Sequence, residues 1–201
     1  LMLVAILTNS SFTGIPILNA YMGESAMPYV LVYDQLGTFI ALATYGTFIA
    51  SYYSNKNKLT FKIITLKVLT FPPFLSLVVA LFLMGVEFHP VISKVLSSFA
   101  STIVPIALVA VGLQLQFKLP REDIKPFSFA LIIKLIIAPV IAIIICKIFG
   151  WNNQASIVSI MEAGMAPMIT AGAIASMAGL APRLSSAIVG YGVLISFITT
   201  A

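Results

Sequence analysis

This chain has very few charged side chains. Only 8% of its 201 residues are Asp, Glu, Lys or Arg, whereas 60% are hydrophobic and the mean hydropathy is +1.10. A soluble domain carries about 25% charged residues, so the composition excludes a soluble globular protein. It predicts an all-α polytopic membrane protein.

Cysteine and histidine are equally scarce, with one of each. The single Cys146 excludes an internal disulfide, and it lies in an apolar run where we expect it to pack. His89 precedes Pro90 and has no partners at metal-ligand spacing. No nucleophile–His–acid set and no phosphate-cradling glycine loop occurs. We therefore expect neither an enzyme nor a metal site, and no cofactor.

The basic residues outnumber the acidic ones, eleven to six, which gives a net charge of +5. No basic stripe or aromatic platform accompanies this excess, so nucleic-acid binding is not expected. In a membrane protein, an excess of basic residues indicates which loops face the cytoplasm, because basic residues collect in cytoplasmic loops. The partners expected at this point are therefore the lipid bilayer and a small solute.

Seven segments are long and apolar enough to span a membrane, at about 20 residues for each span. They cover approximately 1–21, 27–53, 62–86, 90–116, 126–149, 153–179 and 182–201. Several begin with a proline in the first turn, where its missing N–H is harmless. The short connections between the segments contain glycine, asparagine or charged residues.

The charges of the connections alternate along the chain. One set carries the bases Lys56, Lys58, Lys62, Lys118, Arg121, Lys125 and Arg183. The opposite set carries Glu24, then Glu87, His89 and Lys94, then the uncharged Trp151-Asn152-Asn153. The bias predicts that the first set is cytoplasmic. Segment one then runs outward and segment six runs inward.

Two of the segments contain residues that a membrane helix normally avoids. The first runs from Asn9 to Pro16, with Gly14 beside the proline, and the second runs from Met161 to Pro167. Proline and glycine should unwind each helix near mid-membrane. Irregular backbone is tolerated there only when it is buried in protein or lines a wet cavity. Matched breaks of this kind indicate a transporter site, with Pro16 and Pro167 facing each other in oppositely directed strands.

Segments one and two resemble segments six and seven. Each pair has a broken helix, a glycine-containing turn, and a helix opened by proline. Because five segments separate each from its counterpart, the repeat is inverted. We therefore expect a 5+5 crossover-helix fold whose three amino-terminal helices are missing from this chain. Residues 1–53 would end the first repeat, and residues 54–201 would form the second.

Three ionisable residues lie inside predicted spans, namely Asp34, Lys134 and Glu162. A charge at a helix centre costs at least ~2.5–3.5 kcal/mol. One interpretation makes Asp34 or Glu162 a proton or cation site with Lys134 as its counter-charge. The other is an internal ion pair, or Lys134 extending its amine toward the interface.

Neutral polar groups surround the two breaks. Such donors, together with the positive ends of half-helices, suit an anionic carboxylate. Alternatively, the hydroxyls bond to carbonyls of their own helix, and Asn9 bonds to a neighbouring helix. The candidate substrate-binding residues are Asn9, Ser10, Thr13, Gly14, Pro16, Gly164, Pro167 and Thr170.

Several of these motifs resemble the auxin efflux carrier family, which includes plant auxin transporters and bacterial organic-acid carriers. Asn9-x4-Gly14-Ile15-Pro16, followed by Tyr21-Met22-Gly23, resembles the family's fourth helix. Ala163 to Pro167 is similar to its ninth helix. Val111 to Leu113, Lys134 to Pro139 and Pro182 to Gly192 fit its seventh, eighth and tenth helices. The resemblance spans nearly the whole chain, as helices four to ten of ten.

The resemblance implies inverted five-helix repeats and a small organic carboxylate bound where the broken helices cross. Asn9 matches the family's fourth-helix Asn, which implies contact with the carboxylate. Glu162 departs from the small or amide residues expected there, which favours coupling to H⁺ or Na⁺. The resemblance also implies a plasma-membrane location, the inner membrane in a bacterium. The expected assembly is a homodimer of the full-length form, whereas this fragment would associate non-natively.

Three functions are thus open. The first is a secondary active or facilitative transporter of small organic anions that works by alternating access. The second is a sodium/proton antiporter or a bile-acid-like sodium symporter of the same fold. The third is a seven-helix receptor or sensor, which the matched breaks disfavour.

Overall fold

The computed structural model describes residues 1–53, 72–113, 121–177 and 179–200. Within these ranges the chain is almost entirely helical, and one isolated β-bridge joins distant segments. Part of the third predicted segment and the basic residues Lys56, Lys58, Lys62 and Lys118 lie outside the described residues. So do the residues that connect the two predicted repeats.

The amino-terminal part consists of short helical pieces that follow one another closely. They are α1 (Met2–Ile6), a π-helical turn (Ser10–Gly14), α2 (Ile15–Met22), a 3₁₀ turn (Glu24–Ala26), α3 (Met27–Val32), two further π-helical turns (Tyr33–Phe39 and Leu42–Gly46) and α4 (Thr47–Tyr53). Gly23 separates the first span from the second with φ of 72°, a left-handed conformation that favours glycine.

The remaining helices begin after the first undescribed range. They are α5 (Pro72–Phe82), α6 (Pro90–Leu113), a 3₁₀ turn (Arg121–Asp123), α7 (Ile124–Ile132), a fourth π-helical turn (Ile133–Ile137), α8 (Ala138–Ile148), α9 (Gln154–Ala163), α10 (Ile169–Met177) and α11 (Pro182–Thr199). Helices α7 and α8 run on through the fourth π-helical turn as one long helix.

Three helical runs among the described residues are long and apolar enough to cross a membrane. They are Glu24–Ala50, Ile124–Ile148 and Pro182–Thr199. Large apolar side chains such as Ile132, Ile136 and Ile144 are exposed along the second run, as expected for a helix that contacts lipid. The all-α membrane class is therefore confirmed, whereas the count of seven spans and the inverted repeat stay predictions.

Two apolar clusters lie on either side of the first helix break. Helix α1 packs against α10 and α11, with Val4 and Ile188 fully buried. Helix α2 packs instead against α3 and joins Leu18 and Val30 with Val158 of α9. The two parts of the first span are thus held by different neighbours, and the chain between them lies in the middle of the described structure.

Close approach of two helices depends on glycine at two positions. A Cβ on Gly192 of α11 would lie 2.5 Å from Cδ of Pro167. A Cβ on Gly172 of α10 would lie 2.9 Å from Cγ2 of Val189 in α11. Both distances are shorter than van der Waals contact, so only glycine lets α11 pack this closely against α10 and the second break.

Candidate functional site

Two non-helical segments cross at the centre of the described structure. Residues 7–9 separate α1 from the first π-helical turn, and residues 164–168 separate α9 from α10. Thr8 and Pro167 form an antiparallel bridge. The Asn9 N–H donates to the Ala166 carbonyl at 2.9 Å, and the Met168 N–H donates to the Leu7 carbonyl at 2.9 Å. Each break thereby satisfies main-chain groups of the other.

The first break lies upstream of its predicted position. Pro16 is in the first turn of α2, so the prediction that it faces Pro167 in an unwound strand was wrong. A proline at that position needs no N–H and begins a helix readily. The chain leaves α1 at Leu7 and becomes helical again after Asn9, whose Oδ1 accepts the N–H of Phe12 at 3.3 Å. The cap formed by Asn9 therefore determines the break, and Thr8 takes the place opposite Pro167.

π-helical turns bring the buried polar side chains to the crossing. Ser10 and Thr13 lie in the first such turn, Asp34 lies in the second, and Lys134 lies in the fourth. A π-helical turn is uncommon and is frequently found at functional sites. The first and second turns pack against each other, so distant parts of the chain supply one polar cluster.

Asp34 accepts hydrogen bonds from three side chains. The Ser10 and Ser11 hydroxyls donate to its Oδ1 at 2.5 and 2.6 Å, and the Gln35 Nε2 donates to its Oδ2 at 2.7 Å. The carboxylate is 4% exposed. Hydrogen bonds of this kind stabilise a buried negative charge. Asp34 therefore has a structural role in tying the second span to the first.

Lys134 points into the crossing and not toward the membrane interface. It is 1% exposed. Its Nζ donates to the Thr8 Oγ1 and, at 2.8 Å, to the carbonyl of Ala163. Within the ranges that the structure describes, Lys134 forms no ion pair. Its amine therefore binds one polar group from each broken segment and links the two.

Glu162 is the last residue but one of α9, and its carboxylate is fully buried. Neither Oε1 nor Oε2 has a hydrogen-bond partner among the described residues. The carboxylate lies against Gly14, since a Cβ on that glycine would come within 2.8 Å of the Glu162 Cδ. Lys134 attracts this carboxylate and Asp34 repels it. An unpartnered buried charge is very costly, so the site suits a proton or a cation.

Asn9 also has an unsatisfied group at the crossing. The residue is 2% exposed, and its Nδ2 has no hydrogen-bond partner in the described part of the chain. The alternative that hydroxyls bond to carbonyls of their own helix holds for Thr13, which donates to the Asn9 carbonyl at 2.7 Å. It fails for Ser10 and Ser11, which donate to Asp34. The side-chain N–H₂ group of Asn9 is thus a free donor, whereas the hydroxyls of Ser10, Ser11 and Thr13 already donate.

The other predicted substrate-binding residues are Gly164, Thr170 and Pro16, which lie in three different segments. Gly164 is buried at the end of α9, where a Cβ would lie 3.5 Å from Cβ of Pro139. Thr170 lies on α10 beyond the second break and is half-buried, and no described hydrogen bond joins it to the cluster. Pro16 is buried in α2. The structure therefore brings together most, but not all, of the predicted residues.

Thr8, Tyr33 and Gln35 are polar residues at the crossing that the sequence interpretation missed. Thr8 was overlooked because the break was placed further along the chain. Gln35 follows Asp34 directly, and that adjacency was a usable signal. Tyr33 interacts with the Thr8 side chain, although the two residues lie in different spans.

A cavity of about 730 Å³ lies between α2, α3 and α6. Its polar lining residues are Asn19, Glu24, Ser97 and Ser101. Helix α6 also packs against the first π-helical turn, which follows the first break. The spacing of Ser97 and Ser101 places them on one face of α6, which the sequence interpretation did not use.

Comparison with known proteins adds two findings. A family model described as "Membrane transport protein" matches residues 1–201. An "Uncharacterized transporter" from Methanothermobacter thermautotrophicus is 22% identical over 205 residues, which cover 99% of this chain. The chain spans 65% of the length of that relative.

Proposed function

Because this chain belongs to the membrane transport protein family, we propose that it carries small organic carboxylates across the membrane by alternating access. The family match confirms the resemblance to the auxin efflux carriers, and the relative's description as a transporter agrees with it. The substrate class and the mechanism are the part that we propose.

The observation that carries this proposal is the free amide of Asn9 at a crossing of two broken helices. Its Nδ2 is a buried donor that needs an acceptor. A carboxylate oxygen of a substrate supplies one. The first π-helical turn and α2 follow directly, and their amino-terminal end favours negative charge. Asn9 would therefore fix the substrate carboxylate.

The cavity beside α6 is the proposed entrance for the substrate. Its volume of about 730 Å³ lies within the range of small-molecule sites, about 300–1,000 Å³. The lining is mostly apolar, with the hydroxyl of Ser97 and the amide of Asn19 as donors, whereas the Ser101 hydroxyl donates to the Ser98 carbonyl. This combination suits an organic acid that has an apolar body and one charged end.

Glu162 is the proposed coupling group, with Asp34 and Lys134 as its charged neighbours. An ionised Glu162 without partners would be unstable at this position. Binding of H⁺ or Na⁺ would neutralise the carboxylate, and its release would be linked to substrate movement. The same observation supports a second candidate, a sodium/proton antiporter of the same fold, in which the cation itself is the cargo.

Uptake by the purified protein in liposomes tests the substrate proposal. A panel of radiolabelled carboxylates is offered to wild type, Asn9→Ala and, as a control at an exposed loop position, Asn152→Ala. Loss of a hydrogen bond to a charged group costs about 1.5–3 kcal/mol, so Asn9→Ala should lower the apparent affinity about 10- to 100-fold. Equal uptake by Asn9→Ala and wild type would contradict the proposed contact.

Imposed gradients then distinguish the coupling ions. Uptake is measured with a proton gradient, with a sodium gradient and with neither, for wild type and Glu162→Gln. We expect one gradient to accelerate wild-type uptake, and Glu162→Gln to lose that acceleration. Cation exchange without uptake of any carboxylate would favour the antiporter.

A further inference from the structure

A second cavity, of about 380 Å³, leads from the surface toward the crossing and shares no lining residue with the proposed substrate entrance. At one end it is lined by Trp151 and Asn153, which are exposed in the turn between α8 and α9. At the other end it is lined by Tyr33 and Ala163. Since a liquid water molecule occupies about 30 Å³, several waters would fit.

The inner end of this second cavity lies beside the hydrogen bonds of Lys134. Tyr33 lines that end and interacts with Thr8, and Thr8 accepts a hydrogen bond from Nζ of Lys134. Lys134 also donates to the carbonyl of Ala163, which lines the same cavity. The buried amine is therefore separated from the cavity by two hydroxyl groups, each of which can both donate and accept.

We infer that this second cavity is an aqueous passage through which Lys134 exchanges protons with one side of the membrane, with Tyr33 and Thr8 as the relay. The inference rests on the proposed function in taking Lys134 as part of the coupling site. The ammonium gives a proton to Thr8 Oγ1 as the hydroxyl proton of Thr8 passes to Tyr33. The Tyr33 proton passes to water, which leaves a neutral amine and a hydronium ion.

The charged and titratable groups around Lys134 agree with such a passage. Glu162 of α9 interacts electrostatically with both Lys134 and Tyr33, and Asp34 of the second π-helical turn faces Glu162. Asp34 is already satisfied by its three donors. The Glu162 carboxylate has no hydrogen-bond partner among the described residues. The relay thus ends beside the proposed coupling carboxylate and not in the substrate entrance.

Cys146 provides a direct test of water access, because it lines this passage and is 7% exposed. A membrane-impermeant cationic thiosulfonate is applied to sealed vesicles from each side in turn. We expect labelling of Cys146 from the side that carries Trp151 and none from the other. The matched control is Ile144→Cys in a Cys146→Ser background, since Ile144 is exposed on the apolar surface of α8 and should not react with an aqueous reagent. Failure of Cys146 to react from either side, or reaction from the opposite side alone, would overturn the inference.

A pH jump on a solid-supported membrane tests the relay itself, and it needs no carboxylate. We expect a charge displacement in wild type that is absent in Lys134→Met. Removal of one relay hydroxyl, in Tyr33→Phe or Thr8→Val, should slow it at least about tenfold. Tyr29→Phe is the control, because Tyr29 is exposed one turn away in α3. Wild-type rates in both relay variants would overturn the relay, whereas a normal displacement without carboxylate uptake would contradict only the proposed substrate.

Discussion

Glu162 and Asp34 are two buried carboxylates with opposite hydrogen-bonding environments. Asp34 accepts from Ser10, Ser11 and Gln35, whereas Glu162 has no partner among the described residues. The first carboxylate is therefore part of the fold. Burial of the Glu162 carboxylate costs free energy that no hydrogen bond among the described residues offsets. Such groups are common at functional sites.

The Asp34→Asn and Glu162→Gln variants should consequently differ in stability. In Asp34→Asn an amide N–H₂ replaces one acceptor oxygen and faces existing donors, so the free energy of unfolding should fall by about 1–3 kcal/mol. Glu162→Gln loses no hydrogen bond and should be as stable as wild type or more so. Thermal unfolding in detergent measures both, with the exposed Glu24→Gln as the control. An equal loss of stability in Asp34→Asn and Glu162→Gln would contradict the different hydrogen-bonding environments of the two carboxylates.

Gly14 is the residue that makes room for the Glu162 carboxylate. Its replacement by alanine would place a Cβ 2.7 Å from the Glu162 Oε2. Overpacking of this kind costs about 1–3 kcal/mol, so Gly14→Ala should lower the melting temperature. Gly37→Ala is a matched control, since it also lies in a π-helical turn and its Cβ would meet nothing within 4 Å. Identical melting temperatures would show that the carboxylate moves aside freely.

At the level of elements, the crossing of the two breaks predicts a specific cross-link. Thr8 and Pro167 are a non-hydrogen-bonded antiparallel pair, for which the Cα atoms are about 4.5 Å apart. That separation is within the range of a disulfide, about 4.4–6.8 Å. In a Cys146→Ser background, Thr8→Cys with Pro167→Cys should therefore cross-link under a membrane-permeant oxidant. Mass spectrometry of the digested protein detects the linked peptides.

The pair Thr8→Cys with Thr170→Cys serves as the control for that cross-link. Thr170 lies on α10, beyond the second break, and should react much more slowly. Equal cross-linking of the two pairs would indicate that the broken segments are mobile and are not held in one register.

Sequence reasoning predicted the unbroken spans well. The predicted segments 126–149 and 182–201 correspond to Ile124–Ile148 and Pro182–Thr199. Their apolar length and proline starts are local features, so a linear sequence is enough to find them. The second break also lies where Gly164 and Pro167 indicated.

The contacts of the crossing were much less predictable. Lys134 binds Thr8, which is distant in the chain, and hydropathy does not reveal which helix faces which. The first break was placed at Pro16 because proline is the strongest local signal, yet the cap of Asn9 determines it. Tertiary pairing decides such details. The residues that pair across the crossing depend on the partner segment, which a local sequence pattern does not show.

At the scale of the whole molecule, the charges of the loops predict an orientation in the membrane. Arg183 lies in the first turn of α11, and Asn152 lies in the turn between α8 and α9. A hydrogen bond from Gln154 Nε2 to Ser25 Oγ at 2.9 Å ties the second turn to the one after α2. The positive-inside rule predicts that the Arg183 end faces the cytoplasm.

Labelling of single cysteines checks this orientation. In a Cys146→Ser background, Asn152→Cys should react with an impermeant reagent applied to intact cells. Arg183→Cys should react only after permeabilisation. Both residues are exposed, so access and not burial decides the result. The reverse pattern would invert the topology and would also move the proposed proton passage to the cytoplasmic side.

The pairing of Thr8 with Pro167 also has a consequence for biosynthesis. When the ribosome has made the first span, the carbonyl of Leu7 and the N–H of Asn9 have no partners, because Ala166 and Met168 have not yet been translated. Such a contact between distant residues forms late. The nascent chain must therefore keep these groups solvated, or shielded by the insertion machinery, until its carboxyl-terminal third enters the bilayer.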